Sequence, residues 1–131
     1  MATPGAVVML ETAHRAHGKL PWAQLFQPAI TLAEGGFAIS PRLFTQVAGN
    51  PHLARDPLAR RYFFAADGKP LPVGHVLHNP ALAVVLRAIA ERGSVAFTTG
   101  AVGGDIVRRV REHAVPGRLT AADLADRKSV V

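Results

Sequence analysis

The stretch "NPALAVVLRAIAERG", residues 79–93, carries the clearest structural pattern in the sequence. Its large apolar residues recur every three or four positions, so they form one stripe on a helix, with charged residues off it. Asn79 can cap the first turn with its side-chain oxygen, and the proline that follows gives up only an amide that had no partner. Gly93 can end the helix because glycine tolerates a positive φ. The stripe consists of Leu82, Val85, Leu86 and Ile89.

The same signals, a capping residue before a proline at a helix start and a glycine at a helix end, recur along the chain. Ser40-Pro41 and Asp56-Pro57 each place a capping side chain before a proline and predict two further helix starts. Pro28 predicts a short helix followed by a second helix or a kink. Thr120 followed by Asp123 predicts another helix start. The further predicted stops are Gly18, Gly35–Gly36, Gly49 and Gly100, and the further predicted apolar stripes are Met9, Ala13 and Ala16, and Val102, Ile106 and Val110.

One segment, "YFFAADGKPLPVGHVLH" at residues 62–78, is typical of β structure. Aromatic residues Tyr62–Phe64 precede an Ala-Asp-Gly-Lys turn, and Val76–Leu77 follow a Pro-Val-Gly turn. These two runs predict a hairpin. About seven short helices and this pair of strands give a fold class of mainly α with one small β-hairpin.

Composition predicts one globular domain, because 131 residues are 49% hydrophobic and 18% charged. No apolar run reaches the roughly 18 residues of a membrane span, and the start lacks the pattern of a signal peptide. The absence of cysteine excludes disulfides and cysteine zinc sites. The net charge of +6 attracts anions, but basic and aromatic residues do not interleave, so nucleic-acid binding is disfavoured.

No arrangement of reactive residues assembles a catalytic, cofactor-binding or metal site, so none is predicted. Two histidine pairs have i, i+3 spacing but lack a further ligand. A glycine cluster lacks the strand and the Lys-Ser/Thr of a phosphate loop. The aspartates and serines occupy predicted caps and turns. The residues considered are His14 and His17, His75 and His78, Gly100, Gly103 and Gly104, Asp56, Asp67, Asp105 and Asp123, and Ser40 and Ser94.

An ordered set of motifs nevertheless resembles the gamma-glutamyltranspeptidase (glutathione hydrolase) family, in the middle of its large subunit, over residues 2–125. The motifs are "TPGAV", "HGKLPW", "PAITLAEGGFAIS", "DPLARRYF", "DGKPLPVGHVL", "NPALAVVLRAIAERG" and "LTAADLA". Three details depart from the family pattern: Thr3-Pro4-Gly5 replaces a Val-Pro-Gly start, His17 replaces a usual tyrosine, and "HAVPGRLT" replaces a Gly-Gly turn.

The resemblance implies a helical piece of a larger α/β N-terminal nucleophile hydrolase with a four-layer sandwich. In that family a threonine, freed by self-cleavage, attacks the gamma-glutamyl carbonyl of glutathione and passes the acyl group to water, an amino acid or a peptide. The implied partners are the rest of the large subunit and the small catalytic subunit, in a periplasmic, extracellular or cell-surface setting. No cofactor is implied.

The resemblance places the nucleophile and the substrate-binding arginine outside this chain, so the chain alone is expected to be inactive. Thr98-Thr99 looks like the family's processing site, but its context, "GSVAFTTG", matches a large-subunit segment instead. Residues 1–125 are expected to be scaffold. Residues 126–131, "DRKSVV", match a translated sequencing adapter and are expected to be non-native.

Two other functions stay open at this point. One is a piece of a related cephalosporin acylase-like amidase, and the other is a free-standing basic helical interaction module. If the chain is a piece of a larger enzyme, large aromatic side chains should be exposed where the rest of the protein is missing. The candidates are Trp22, Phe26, Phe37, Phe44 and Tyr62–Phe64.

Overall fold

A computed structural model of the chain describes residues 4–125. Within them, helices dominate and two short strands form one antiparallel sheet, which confirms the predicted fold class. The predicted tail at residues 126–131 lies outside the described residues. The elements are α1 (Ala6–His17), a 3₁₀ helix (Trp22–Phe26), α2 (Gln27–Gly35), β1 (Phe37–Ala38), α3 (Pro41–Ala48), α4 (Pro51–Arg55), α5 (Pro57–Phe63), β2 (Val76–Leu77), α6 (Pro80–Arg92), α7 (Val95–Thr98), α8 (Gly100–Arg111) and α9 (Ala121–Ala125).

The predicted helix starts are confirmed in detail. Ser40 Oγ accepts the Leu43 amide of α3 at 3.2 Å. Asp56 Oδ1 accepts two amides of the first turn of α5, at 3.0 and 2.7 Å. Helix α6 begins at Pro80, and the 3₁₀ helix gives way to α2 just before Pro28, as predicted.

A further start, at Asn50-Pro51, was missed. Asn50 Oδ1 accepts the His52 amide at 3.0 Å, so the same device that starts α3 and α5 also starts α4. The sequence carried this signal. It is one reason why the structure contains more short helices over residues 4–125 than the seven or so predicted.

The two-stranded sheet joins different residues from those predicted. Strand β2 pairs antiparallel with β1, in the register Phe37 with Leu77 and Ala38 with Val76. Residues 62 and 63 instead end helix α5, and Phe64 forms only an isolated bridge with Pro70. The Asp56 cap starts a helix that runs into the aromatic run, and this local signal overrides the β propensity of aromatic residues.

The described residues form two compact units, residues 4–30 with 81–125 and residues 31–80. In the first, α7, α8 and α9 contact one another, and Ala96, Leu119 and Leu124 are buried. In the second, β1 pairs with β2, α4 contacts α5, and Ile39 and Leu77 are buried. No helix in the described part of the chain is long and apolar enough to span a membrane.

The predicted stripes differ in how well they match the buried faces. In α8, Val102, Ile106 and Val110 are all half-buried, as expected. In α6, Ile89 is buried but Leu82 is 45% exposed. The α6 core comes partly from small residues, because alanines at positions 83 and 90 are also buried.

The predicted α1 stripe forms, but it is not the buried side of the helix. Met9, Ala13 and Ala16 do share one side of the helix, but that side is exposed. The opposite side, which includes Glu11 and His14, is half-buried instead. A stripe read from sequence identifies an apolar face and does not say what covers it.

The aromatic side chains are more covered than expected. Phe37 is 39% exposed, while the other candidates are half-buried. Edge-to-face pairs explain part of this cover: Trp22 lies 4.9 Å from Phe26, and Tyr62 lies 4.7 Å from Phe63. The large apolar residues most open to solvent are aliphatic, including Met9, Val84 and Val115.

Candidate functional site

The best-formed polar cluster within residues 4–125 joins the middle of α1 to the turn between α6 and α7. Glu11 Oε2 accepts the Ser94 amide at 3.0 Å, and Oε1 accepts a hydrogen bond from the Arg15 guanidinium at 2.8 Å. The Glu11 side chain is only 13% exposed, whereas that of Arg15 is 70% exposed. The carboxylate therefore faces the protein and connects two segments that are 83 residues apart.

Gly93 makes this contact possible. Its φ of 72° is a conformation that residues with a side chain rarely adopt. A Cβ at this position would also collide with the Glu11 carboxylate. The glycine that was predicted to end α6 thus also allows α1 to approach the α6–α7 turn. The sequence pattern indicated neither this role of Gly93 nor the contact of Glu11 with Ser94.

The Glu11 carboxylate is held in its charged form. Its pKa is lowered chiefly by the Ser94 hydroxyl and also by the Ser94 amide and the Arg15 guanidinium, while partial burial opposes them. Ser94 Oγ itself is buried and has no hydrogen-bond partner, so the directed hydrogen bonds to the carboxylate come from the Ser94 amide and the Arg15 guanidinium. Within residues 4–125 no base forms a hydrogen bond with this hydroxyl, so the cluster is a structural clamp and not a nucleophilic site.

We predict that Glu11→Gln lowers the free energy of unfolding by about 1–2 kcal/mol at pH 7, because it removes charge from a hydrogen-bonded carboxylate. The folded-state pKa lies below the ordinary value of 4.5, so this stabilisation is present above that value. It is lost as pH falls through the lowered pKa. Urea unfolding at pH 7 and pH 3, with exposed Glu91→Gln as control, measures the effect. An equal loss at both pH values would contradict the charge-based explanation.

Trp22 forms a second anchor. Its indole N–H donates to the Ile89 carbonyl at 3.0 Å, and its ring packs edge-on against His14 at 5.2 Å. His14 Nε2 bonds the Leu20 carbonyl at 2.8 Å. The 3₁₀ helix is therefore attached to the end of α6 and to α1.

The histidine pairs have structural roles or stay exposed. A ring nitrogen of one member of each pair contacts a backbone carbonyl: His14 contacts Leu20, and His78 Nδ1 contacts Glu34 at 3.1 Å. His17 and His75 are exposed. Among the described residues, no group of three or more potential ligands could hold a metal ion.

Thr98 and Thr99 lack the surroundings of a nucleophile. The Thr98 hydroxyl donates to the Ser94 carbonyl at 3.3 Å, and the Thr99 hydroxyl donates to the Val95 carbonyl at 2.7 Å. Thr98 is only 7% exposed. Its carbonyl lies so close to Gly103 that a Cβ there would be 2.7 Å from the oxygen. The peptide group is packed inside a helix junction.

The aspartates act locally. Asp123 Oδ2 accepts the Thr120 amide at 2.8 Å, and Thr120 Oγ1 accepts the Asp123 amide at 3.2 Å, so the predicted start of α9 is a capping box. Asp67 accepts the Lys69 amide within a turn at 3.0 Å. Asp105 pairs with Arg108 at 2.8 Å, and this guanidinium lowers the pKa of Asp105.

The glycines of the apparent phosphate loop belong to a helix. Gly100, Gly103 and Gly104 all lie within α8, and the element directly before α8 is the helix α7, not a strand. Gly103 is buried against α7, while Gly104 is exposed. Their spacing reflects helix packing and does not form a cradle for an anion.

Comparison with known proteins identifies the family of this chain. The family model for Gamma-glutamyltranspeptidase matches residues 1–131. The chain is 36% identical over 128 residues to Glutathione hydrolase 5 proenzyme from Homo sapiens, covering 95% of this chain and 21% of that protein. The chain spans about a fifth of the length of the curated relatives that it matches.

Solved structures share the fold. Helicobacter pylori gamma-glutamyltranspeptidase matches 93% of this chain and 35% of its own, with 29% identity and a TM-score of 0.81. Cephalosporin acylase from Bacillus halodurans matches 86% of this chain and 22% of its own, with 30% identity and a TM-score of 0.69. The match over the full sequence and the shared arrangement of helices lead to one assignment: this chain belongs to the gamma-glutamyltranspeptidase family.

Proposed function

We propose that this chain is a scaffold segment of an enzyme that transfers the gamma-glutamyl group of glutathione to water, amino acids or peptides. The observation that carries the proposal is the family match over the whole chain, combined with coverage of only about a fifth of the relatives. A segment of this kind contributes packed helices to an active site whose reacting groups lie elsewhere in the protein.

The proposed reaction uses a threonine at a new N-terminus that lies outside these 131 residues. Its hydroxyl attacks the gamma-glutamyl carbonyl while its own amine takes the proton. The tetrahedral intermediate then collapses and expels the cysteinylglycine amine, which takes that proton, and the acyl-enzyme passes the gamma-glutamyl group to water or to an acceptor amine. The engagement of both threonine hydroxyls at 98–99 with helix carbonyls supports a location elsewhere for this nucleophile.

The proposed partners are the remainder of the same large subunit and a small catalytic subunit produced by cleavage of a precursor. The human relative is named as a proenzyme, which supports this form of maturation. In the present chain, the helix junction around Thr98 and Gly103 is proposed to remain intact during that cleavage.

A cephalosporin acylase-like amidase is a second candidate, favoured by the likeness to the Bacillus halodurans structure. That likeness has a lower TM-score and covers less of this chain than the likeness to the Helicobacter pylori enzyme. Turnover of a gamma-glutamyl anilide and of a cephalosporin side-chain amide by the parent protein separates the two. Family membership weighs against a free-standing interaction module.

We predict that the purified 131-residue chain does not turn over a gamma-glutamyl anilide, whereas the parent protein does. The reason is that the proposed nucleophile and substrate-binding groups lie in segments outside these 131 residues. The absorbance of the released aniline measures the activity of both proteins. Activity of the isolated chain that disappears in Thr98→Ala or Thr99→Ala would reject the proposal and make that pair the catalytic site.

A further inference from the structure

The outward side of α1 presents an apolar surface that extends to the exposed His17 at the end of the helix. Met9 is 63% exposed and Leu10 is 56% exposed, and Ala13 and Ala16 are exposed beside them. These positions follow one another at helical spacing over about two turns. We call this surface the outer stripe (Met9, Leu10, Ala13 and Ala16).

The same helix already uses its other side for packing. Val7, Val8, Glu11 and His14 are half-buried, and Glu11 is clamped to the α6–α7 turn. Helix α1 therefore packs through one side while its other, apolar side faces solvent, and none of its residues is fully buried. A helix at a protein surface ordinarily turns charged and polar residues to water, so an apolar outer side indicates a second neighbour.

The outer stripe differs from the scattered exposed residues elsewhere. Val115 is 78% exposed, but it lies in the loop between α8 and α9 and not on a helix face. Isolated exposed apolar residues are normal on protein surfaces, whereas a contiguous patch marks a contact. The two alanines keep part of the stripe shallow, so a partner can approach the helix backbone closely.

We propose that an uncharged, apolar surface of the parent chain, formed by residues outside these 131, covers the outer stripe. This rests on the proposed function, in which the chain is one segment of a longer enzyme. The Helicobacter pylori match supports this occupant: the fold of this chain recurs there with a TM-score of 0.81 while accounting for only 35% of that chain. The same helices thus occur within a much larger structure.

Cysteine labelling tests the proposal, because the chain has no cysteine of its own. Ala13→Cys and Met9→Cys are made in the 131-residue chain and in the parent protein. Lys69→Cys serves as the control, because the Lys69 side chain is 81% exposed and charged. Each folded protein reacts with a water-soluble maleimide at two protein concentrations, and circular dichroism checks that the variants fold.

Both stripe cysteines should react at least about tenfold more slowly in the parent than in the chain, an order expected when a site opens only rarely. The control should react at similar rates in both. Equal rates for the stripe cysteines would overturn the proposal. Protection in the isolated chain that grows with concentration would also overturn it, because a second copy would then cover the stripe.

Activity of the same parent preparations keeps the two proposals separate. If the parent protein protects the stripe cysteines but does not cleave gamma-glutamyl compounds, the docking surface is supported and the proposed function is rejected. If the parent protein cleaves gamma-glutamyl compounds while the stripe cysteines react freely, the proposed function is supported and the docking surface is rejected.

Discussion

Gly103→Ala is expected to lower the free energy of unfolding of the chain by about 2 kcal/mol. Gly103 is buried where α8 crosses α7, and an added Cβ would lie 2.7 Å from the Thr98 carbonyl oxygen and 2.8 Å from its carbon. The neighbour is backbone and not the end of a flexible side chain, so the helices themselves must move apart. That movement would also disturb the buried Leu124, whose Cδ1 lies 3.7 Å from the added Cβ.

The adjacent glycine gives a matched control. Gly104 lies in the same helix, and nothing lies within 4 Å of a Cβ built on it. Gly104→Ala should raise stability by about 0.5–1 kcal/mol, because alanine favours the helix over glycine. Urea unfolding followed by circular dichroism measures both variants. Similar effects of the two substitutions would show that the α7–α8 approach is looser than described.

The second large effect is expected at Gly36, between α2 and β1. Its φ is 85°, and an added Cβ would lie 2.5 Å from Val76 Cγ1 and 2.7 Å from His78 Cε1. The left-handed conformation costs an alanine about 1 kcal/mol or more, and the collision with the strand β2 region adds to this. Gly36→Ala should therefore lower the free energy of unfolding by about 2–3 kcal/mol.

Gly35 provides the comparison, because it ends α2 without a positive φ and has free space around its Cα. Gly35→Ala should change stability by less than about 1 kcal/mol, in the stabilising direction. Thermal melts monitored by circular dichroism test the pair. If the two variants have similar melting temperatures, position 36 tolerates a side chain and the predicted collision with the β2 segment is wrong.

Local sequence signals determined where most helices begin. The side chains of Ser40 and Asp56 and the capping box at Thr120 act over two or three residues, so the sequence specifies them without help from distant parts of the chain. Asn50 follows the same rule, so the start of α4 is also specified by the local sequence. The ordered motifs also identified the family correctly, and the family model matches the whole chain.

Tertiary structure decided which residues meet across the chain. Strand β2 pairs with Phe37–Ala38, a partner that the turn signals at residues 65–75 did not indicate. Pairing between segments almost forty residues apart depends on how the intervening helices fold, and local propensity does not contain that information. The aromatic run at residues 62–63 became helix for a different, local reason, because the Asp56 cap starts α5 directly upstream.

The clamp at Glu11 illustrates the same limit. Sequence periodicity identified the apolar stripe of α1, but only the folded chain placed Glu11 on the inner side and Met9 on the outer side. A charged residue is predicted to face water unless a partner offsets its desolvation, and here the partner is an amide 83 residues away. The sequence by itself determined the helices and the family, whereas the tertiary structure decided their faces and contacts, because those depend on groups far apart in the chain.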